Sequence, residues 1–226
     1  MARRPGGPRV RRAPRLRIRD GDGKQLDLSL QEAVELGISQ HRLGRPNIAE
    51  QIYKAVLELD PRHVDALHFL GVAAHQRGDS AAALRLIKRA IALSPGVPGM
   101  YNNLGNVHVE CGDAVGATAA YRRALELAPD QPNTYNNLGI ALKAQGKFDE
   151  AHDAFERAVT LDPEFADAFH NYGNLLAAQG RTPEAVDMYF KALTLAPERA
   201  ISRQMLGQAY SRLGQPDRAR QIYEQW

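Results

Sequence analysis

Three asparagines, Asn103, Asn137 and Asn171, stand 34 residues apart in a chain of 226. A carboxamide carries two N–H donors and an acceptor, the complement of a peptide bond. A row of them at regular spacing can hold an extended chain by its backbone, with side-chain identity mattering little. Other reactive types are sparse. His41 and His75 share the same interval with His68 between them, but a metal site needs more converging ligands, ideally with a carboxylate or cysteine, so no metal is expected. Cys111 is the single cysteine. It excludes an internal disulfide framework and is expected to be a small packed residue at a helix end rather than a reactive thiol. Asp20 and Asp22 do not make a calcium loop. With these as its third and fifth positions, the first and twelfth would be Ile18 and Ser29, which cannot replace a carboxylate. No phosphate-binding loop or nucleophile elbow occurs, so neither an enzyme nor a cofactor is expected from this chain.

The interval of 34 is not confined to asparagine. Pro61, Pro95, Pro129, Pro163 and Pro197 keep it, as do Gly37, Gly71, Gly105, Gly139, Gly173 and Gly207. A second glycine column runs Gly44, Gly78, Gly112, Gly146, Gly180 and Gly214, and an alanine column Ala49, Ala83, Ala117, Ala151, Ala185 and Ala219. Self-similarity at this period marks a helical solenoid.

Within the central copy the pattern predicts one helix over about 133–145 and another over about 148–160. Leu138 and Leu142 lie four apart, as do Phe155 and Val159, so each helix carries an apolar stripe. Gly139 and Ala151 lack bulk and allow the pair to approach. Gly146 suits a left-handed C-cap, and Pro163 cannot continue the second helix. A single hairpin cannot bury its own stripe, so neighbouring copies must stack.

Tyr135, Leu138, Gly139, Leu142, Ala151, Phe155, Ala158 and Pro163 together resemble the tetratricopeptide repeat. The resemblance covers residues 30–226 and implies an all-α fold, a right-handed α-α superhelix of six hairpins with the last incomplete. Repeats are expected at 30–63, 64–97, 98–131, 132–165, 166–199 and 200–226, after a tail over 1–29. In this family the first helices line a concave face. Carried onto this chain, the groove positions are Asn102, Asn103 and Asn106, then Asn133, Asn136, Asn137 and Lys143, then Asp167, His170, Asn171 and Asn174. The asparagine row is similar to the one in the repeat arm of O-linked N-acetylglucosamine transferases. The terminal-carboxylate clamp of related modules fits poorly, because Asn102, Asp167 and Asn171 stand where it needs lysine or arginine. Repeats one and two present a second patch, Val34, Ile38, Phe69 and Val72 with His41, His68 and His75, suited to a partner's side chains. The implied function is a protein-binding scaffold for an extended peptide or partner protein. The alternative is the substrate-recruiting arm of a glycosyltransferase or methyltransferase whose catalytic domain is not in this chain.

The first 26 residues differ in kind. Nine basic residues (Arg3, Arg4, Arg9, Arg11, Arg12, Arg15, Arg17, Arg19 and Lys24) face only Asp20 and Asp22, a net +7. The whole chain is +3, so the remaining 200 residues carry −4. Pro5, Pro8 and Pro14 with paired glycines predict disorder over the first 15 residues. An electrostatic arm for nucleic acid or an anionic surface is the functional reading of this tail; a solubilising tail is the simpler one, because no aromatic interleaves the arginines. Leu16-Arg17-Ile18 and Leu26-Asp27-Leu28 alternate around Asp20-Gly21-Asp22-Gly23 and suggest a small hairpin. No apolar run is long enough to span a membrane and no secretory h-region follows the basic start, so the cytoplasm is the default location. At the other end, Ile222, Tyr223 and Trp226 are expected to lie on an open stripe that continues into further chain or associates with a second molecule.

Overall fold

The computed structural model describes residues 14–19, 23 and 25–225. Among the described residues, a hairpin of β1 (Arg15–Arg19) and β2 (Gln25–Ser29) precedes twelve helices. These are α1 (Leu30–Arg42), α2 (Pro46–Leu59), α3 (Val64–Gln76), α4 (Ser80–Leu93), α5 (Pro98–Glu110) and α6 (Ala114–Leu127). They continue as α7 (Pro132–Ala144), α8 (Phe148–Leu161), α9 (Ala166–Ala178), α10 (Thr182–Leu195), α11 (Ala200–Arg212) and α12 (Pro216–Gln225). No strand occurs among the described residues after Ser29. The fold class is the expected all-α superhelical repeat. The chain divides into two compact units, one up to Pro95 and one from Gly96 onward.

The central copy shows how local sequence sets these elements. Pro132 opens α7 one residue before the expected start, since proline at the first helical position loses no hydrogen bond. The helix ends where Gly146 turns to φ +73°. There Lys147 N–H donates to the Leu142 carbonyl at 3.0 Å and Gly146 N–H to that of Lys143 at 3.0 Å, which satisfies the last carbonyls. Gly139 serves a different purpose. A Cβ on it would lie 2.8 Å from Cε1 of Phe155, so the glycine seats the ring that α8 lays across α7. Phe155, Ala151 and Ala158 are fully buried.

In the first unit, Leu16 pairs with Leu28 and Ile18 with Leu26, and the strands pack on α1 and α2. The stretch assigned to the tail up to residue 29 therefore includes a formed hairpin, supported by helices beneath it. Ser29 ends β2 and caps α1: its Oγ accepts from Glu32 N–H at 3.3 Å, and its own N–H donates to Glu32 Oε2 at 2.7 Å. Two of the tail's cations are engaged here, Arg15 Nε with Asp27 Oδ1 at 2.8 Å and Arg17 with Asp27 Oδ2 at 3.8 Å. Arg3, Arg4, Arg9, Arg11, Arg12, Asp20, Asp22 and Lys24 lie outside the described residues, as does Trp226.

In the second unit, one core runs from Ala117 in α6 to Ile222 in α12. Ile222 is 7% exposed, so it does not form the open stripe expected of it; α12 turns it onto α11. Tyr223 is half exposed, its ring lying against Gly207. Cys111 is exposed at the C-cap of α5 rather than packed, because the C-terminal turn lifts it off the core.

Candidate groove along the first helices

Within the second unit, α5 packs on α7 and α7 on α9, with no comparable approach of α6 to α8 or α8 to α10. First helices draw together on one side, and the polar residues singled out above meet there.

They meet chiefly one another. Asn171 Nδ2 donates to Asn136 Oδ1 at 3.0 Å, Asn136 Nδ2 to Asn137 Oδ1 at 3.4 Å, and Asn137 Nδ2 to Asn106 Oδ1 at 3.4 Å. The amides thus form a head-to-tail relay across α9, α7 and α5. Asn102 Oδ1 accepts from Thr134 Oγ1 at 3.1 Å, again between α5 and α7. Asn136 and His170 are buried, at 6% and 7% exposure, and offer little surface to a ligand. His170 Nδ1 sits 3.0 Å from Ser202 Oγ in α11. Burial and the nearby charges of Arg199 and Lys143 hold its pKa below the usual histidine value, with Asp167 opposing them. Asn103, Asn137 and Asn171 are half-buried, and Asn133 is exposed. Asp167 is exposed and ion-paired with Arg199. An amide has two N–H groups, so Asn137 and Asn171 each keep one donor beyond the relay.

Asn106 and Asn174 also accept within their own hairpins. Tyr121 Oη donates to Asn106 Oδ1 at 2.8 Å, and Tyr189 Oη to Asn174 Oδ1 at 2.9 Å. The equivalent pair in α7 and α8 is Ile140 with Phe155, which has no hydroxyl to satisfy. In the first unit it is Ile38 with Tyr53, and there the buried Tyr53 hydroxyl has no partner.

A cleft of about 310 Å³ opens where Lys143 of α7, Asn174 of α9 and Met205, Gln208 and Arg212 of α11 converge. Of these, only Lys143 and Asn174 belong to the expected groove set. Met205 and Gln208 fall in the columns of Asn171 and Asn174, so extending those columns into repeat six locates them, whereas Arg212 lies one place beyond the Lys143 column. A smaller apolar pocket of about 100 Å³ lies between α5 and α7, lined by Val109, Ile140 and Ala144.

The histidine patch of the first unit is more buried than expected. Val34 is fully buried and His68 is 7% exposed, with its pKa lowered by burial against a smaller opposing effect of Asp65. Phe69 is half-buried and stacks on Tyr53, ring centres 6.1 Å apart. Ile38, Val72, His41 and His75 are also half-buried, and His41 Nε2 lies 2.6 Å from Gln76 Oε1. Among the described residues no three His, Cys, Asp or Glu side chains gather as metal ligands do. No described helix is long and apolar enough to cross a membrane.

Comparison with known proteins places this arrangement. A search of curated proteins gave no significant sequence match. Among solved structures, MamA is 27% identical with a TM-score of 0.66, over 73% of this chain and 96% of that one. YrrB, described as a TPR protein with an unusual peptide-binding site, is 24% identical with a TM-score of 0.64, over 75% and 88%. PilF of Pseudomonas aeruginosa is 20% identical with a TM-score of 0.77, over 87% and 89%. Models of the tetratricopeptide repeat match residues 97–164, residues 34–98 and 136–200, and residues 176–226. The chain belongs to the tetratricopeptide repeat family.

Proposed function

We propose that this protein is a protein-interaction scaffold that holds an extended segment of a partner along α5, α7, α9 and α11. The observation carrying the reading is the amide row: Asn137 and Asn171 sit half-buried one repeat apart, each with a donor left over from the relay. Regularly spaced donors suit the regularly spaced carbonyls of an extended chain. The apolar pocket and the larger cleft flank the row and supply places for side chains. The likeness to YrrB, a repeat protein with a peptide-binding site, supports the same reading.

The test is selection from a display library of random peptides on the immobilised chain, followed by hydrogen exchange with a selected peptide bound. Protection is expected on α5, α7, α9 and α11. Protection confined to α6, α8 and α10, or a library that yields no binder, would overturn the reading.

A further inference from the structure

The polar side chains that line the cleft at α7, α9 and α11 are cations and neutral groups. Lys143 enters from the last turn of α7 and Arg212 from the last turn of α11, and no carboxylate lines the space. Among the described residues neither cation has an ion-pair partner. Other cations of the unit are divided: Arg122 pairs with Glu150, Arg123 with Glu126, Arg181 with Glu184 and Arg199 with Asp167, whereas Lys191 and Arg203, outside the cleft, have no ion pair among the described residues either. Asn174 Oδ1 already accepts from Tyr189, so its Nδ2 is what the amide can offer a ligand. Gln208 adds a second amide, and Met205 with Ala209 forms an apolar floor. Two like charges converging on one concave site favour occupation by an anion.

Building on the peptide-binding reading above, we propose that this cleft selects segments bearing Asp or Glu side chains. The carboxylate takes charge-assisted hydrogen bonds from Lys143 or Arg212 and from Asn174 Nδ2, while its aliphatic stem rests on Met205. The cations come from two helices with α9 between them. Residues two apart on an extended chain lie about 7 Å apart on one side, so alternate acidic residues can each meet one cation.

The experiment is fluorescence anisotropy on the full chain with a labelled peptide of alternating Glu and Ala, against its Gln counterpart. The wild type should bind the Glu peptide about tenfold or more tighter, as hydrogen bonds to charged groups warrant, and added salt should shrink the gap. In the Lys143→Gln, Arg212→Gln variant the preference should fall about tenfold, to what the tail alone contributes, with an unchanged melting curve, because neither side chain is part of the core. The Arg-rich tail is the same in both proteins, so any attraction it exerts cancels in this comparison. Equal binding of the Glu and Gln peptides by the wild type overturns the proposal, as does a variant that keeps the preference undiminished. A phosphoserine peptide or inorganic phosphate that displaces the Glu peptide at much lower concentration from the wild type alone also overturns it, in favour of a phosphate site. If library-selected peptides bind while the Glu preference is absent, the scaffold reading stands and this inference falls. If nothing binds, both fall.

Discussion

Asn171 Nδ2 donates to Asn136 Oδ1 at 3.0 Å, and through this bond α9 is tied to α7. Asn136 is 6% exposed and Asn171 half-buried, so the acceptor of the bond is largely withdrawn from water. Replacing it with alanine leaves the Asn171 donor without its acceptor, which costs about 1–3 kcal/mol. The exposed Asn133, on the same helix, should tolerate alanine with a change within about 0.5 kcal/mol. Urea titrations of the two variants make the comparison. Equal effects would remove the relay as a stabilising element. The relay also bears on the groove: alanine at Asn137 or Asn171 perturbs helix packing as well as ligand contact, so affinity and melting temperature must be measured together.

The repeat could be read from the sequence because each column has a simple physical cause. Glycine at 146 permits a left-handed turn, glycine at 139 seats the ring of Phe155, and proline at 163 stops a helix. These causes act locally and recur every 34 residues. The asparagines were legible as a row but not as a relay, since their bonds join residues 31 and 35 apart whose side-chain directions depend on how hairpins stack. Asn136 and Asn137 are neighbours in sequence, yet one is buried and the other half-exposed. Cys111 departs from the expected packed position for a related reason: the residue capping a helix can face either way, and here it faces outward.

Stability should hold between about pH 6.5 and 10 and fall on both sides. Burial lowers the pKa of His68 and His170 from 6.5 in the folded chain. The unfolded chain therefore binds more protons below pH 6.5, and stability declines as pH drops through that range. Burial raises Tyr53, Tyr172 and Tyr189 from 10.0 to about 12, and raises Tyr121 as well. Here the folded chain holds the proton longer, so stability is lost as pH rises beyond 10. Melting temperature across pH is the check; a curve still rising above pH 10 would contradict the buried tyrosines.

Ser29 joins the hairpin to α1, and its cap should be worth more than the neighbouring ion pair. Ser29→Ala removes an acceptor for Glu32 N–H and is expected to cost about 0.5–2 kcal/mol. Asp27→Asn removes the Arg15 pair, which is exposed on both sides and screened by water, so its loss should cost less than the loss of the cap. Segment-resolved hydrogen exchange should show faster opening of α1 in the serine variant and little change in the aspartate variant. The reverse order would mean that charge rather than the cap holds the hairpin to the array.

Three buried tyrosines occupy equivalent places over a repeat glycine, and their hydroxyls fare differently. Tyr121 and Tyr189 reach Asn106 and Asn174, whereas Tyr53 faces the Ile38 column and finds no acceptor. Phenylalanine at 121 or 189 should therefore destabilise by about 0.5–1.5 kcal/mol, the net worth of the lost bond. Phenylalanine at 53 removes a hydroxyl that was desolvated without return, so it should leave stability unchanged or raise it by about 1 kcal/mol or more. Ile38→Asn supplies the missing acceptor, and in that background Tyr53→Phe should become destabilising. This sign change is a double-mutant coupling, read from four urea titrations. A Tyr53→Phe loss as large as that of Tyr121→Phe in the native background would show that Tyr53 is satisfied in solution, and that the residue in the Ile38 column does not decide whether the tyrosine needs its hydroxyl.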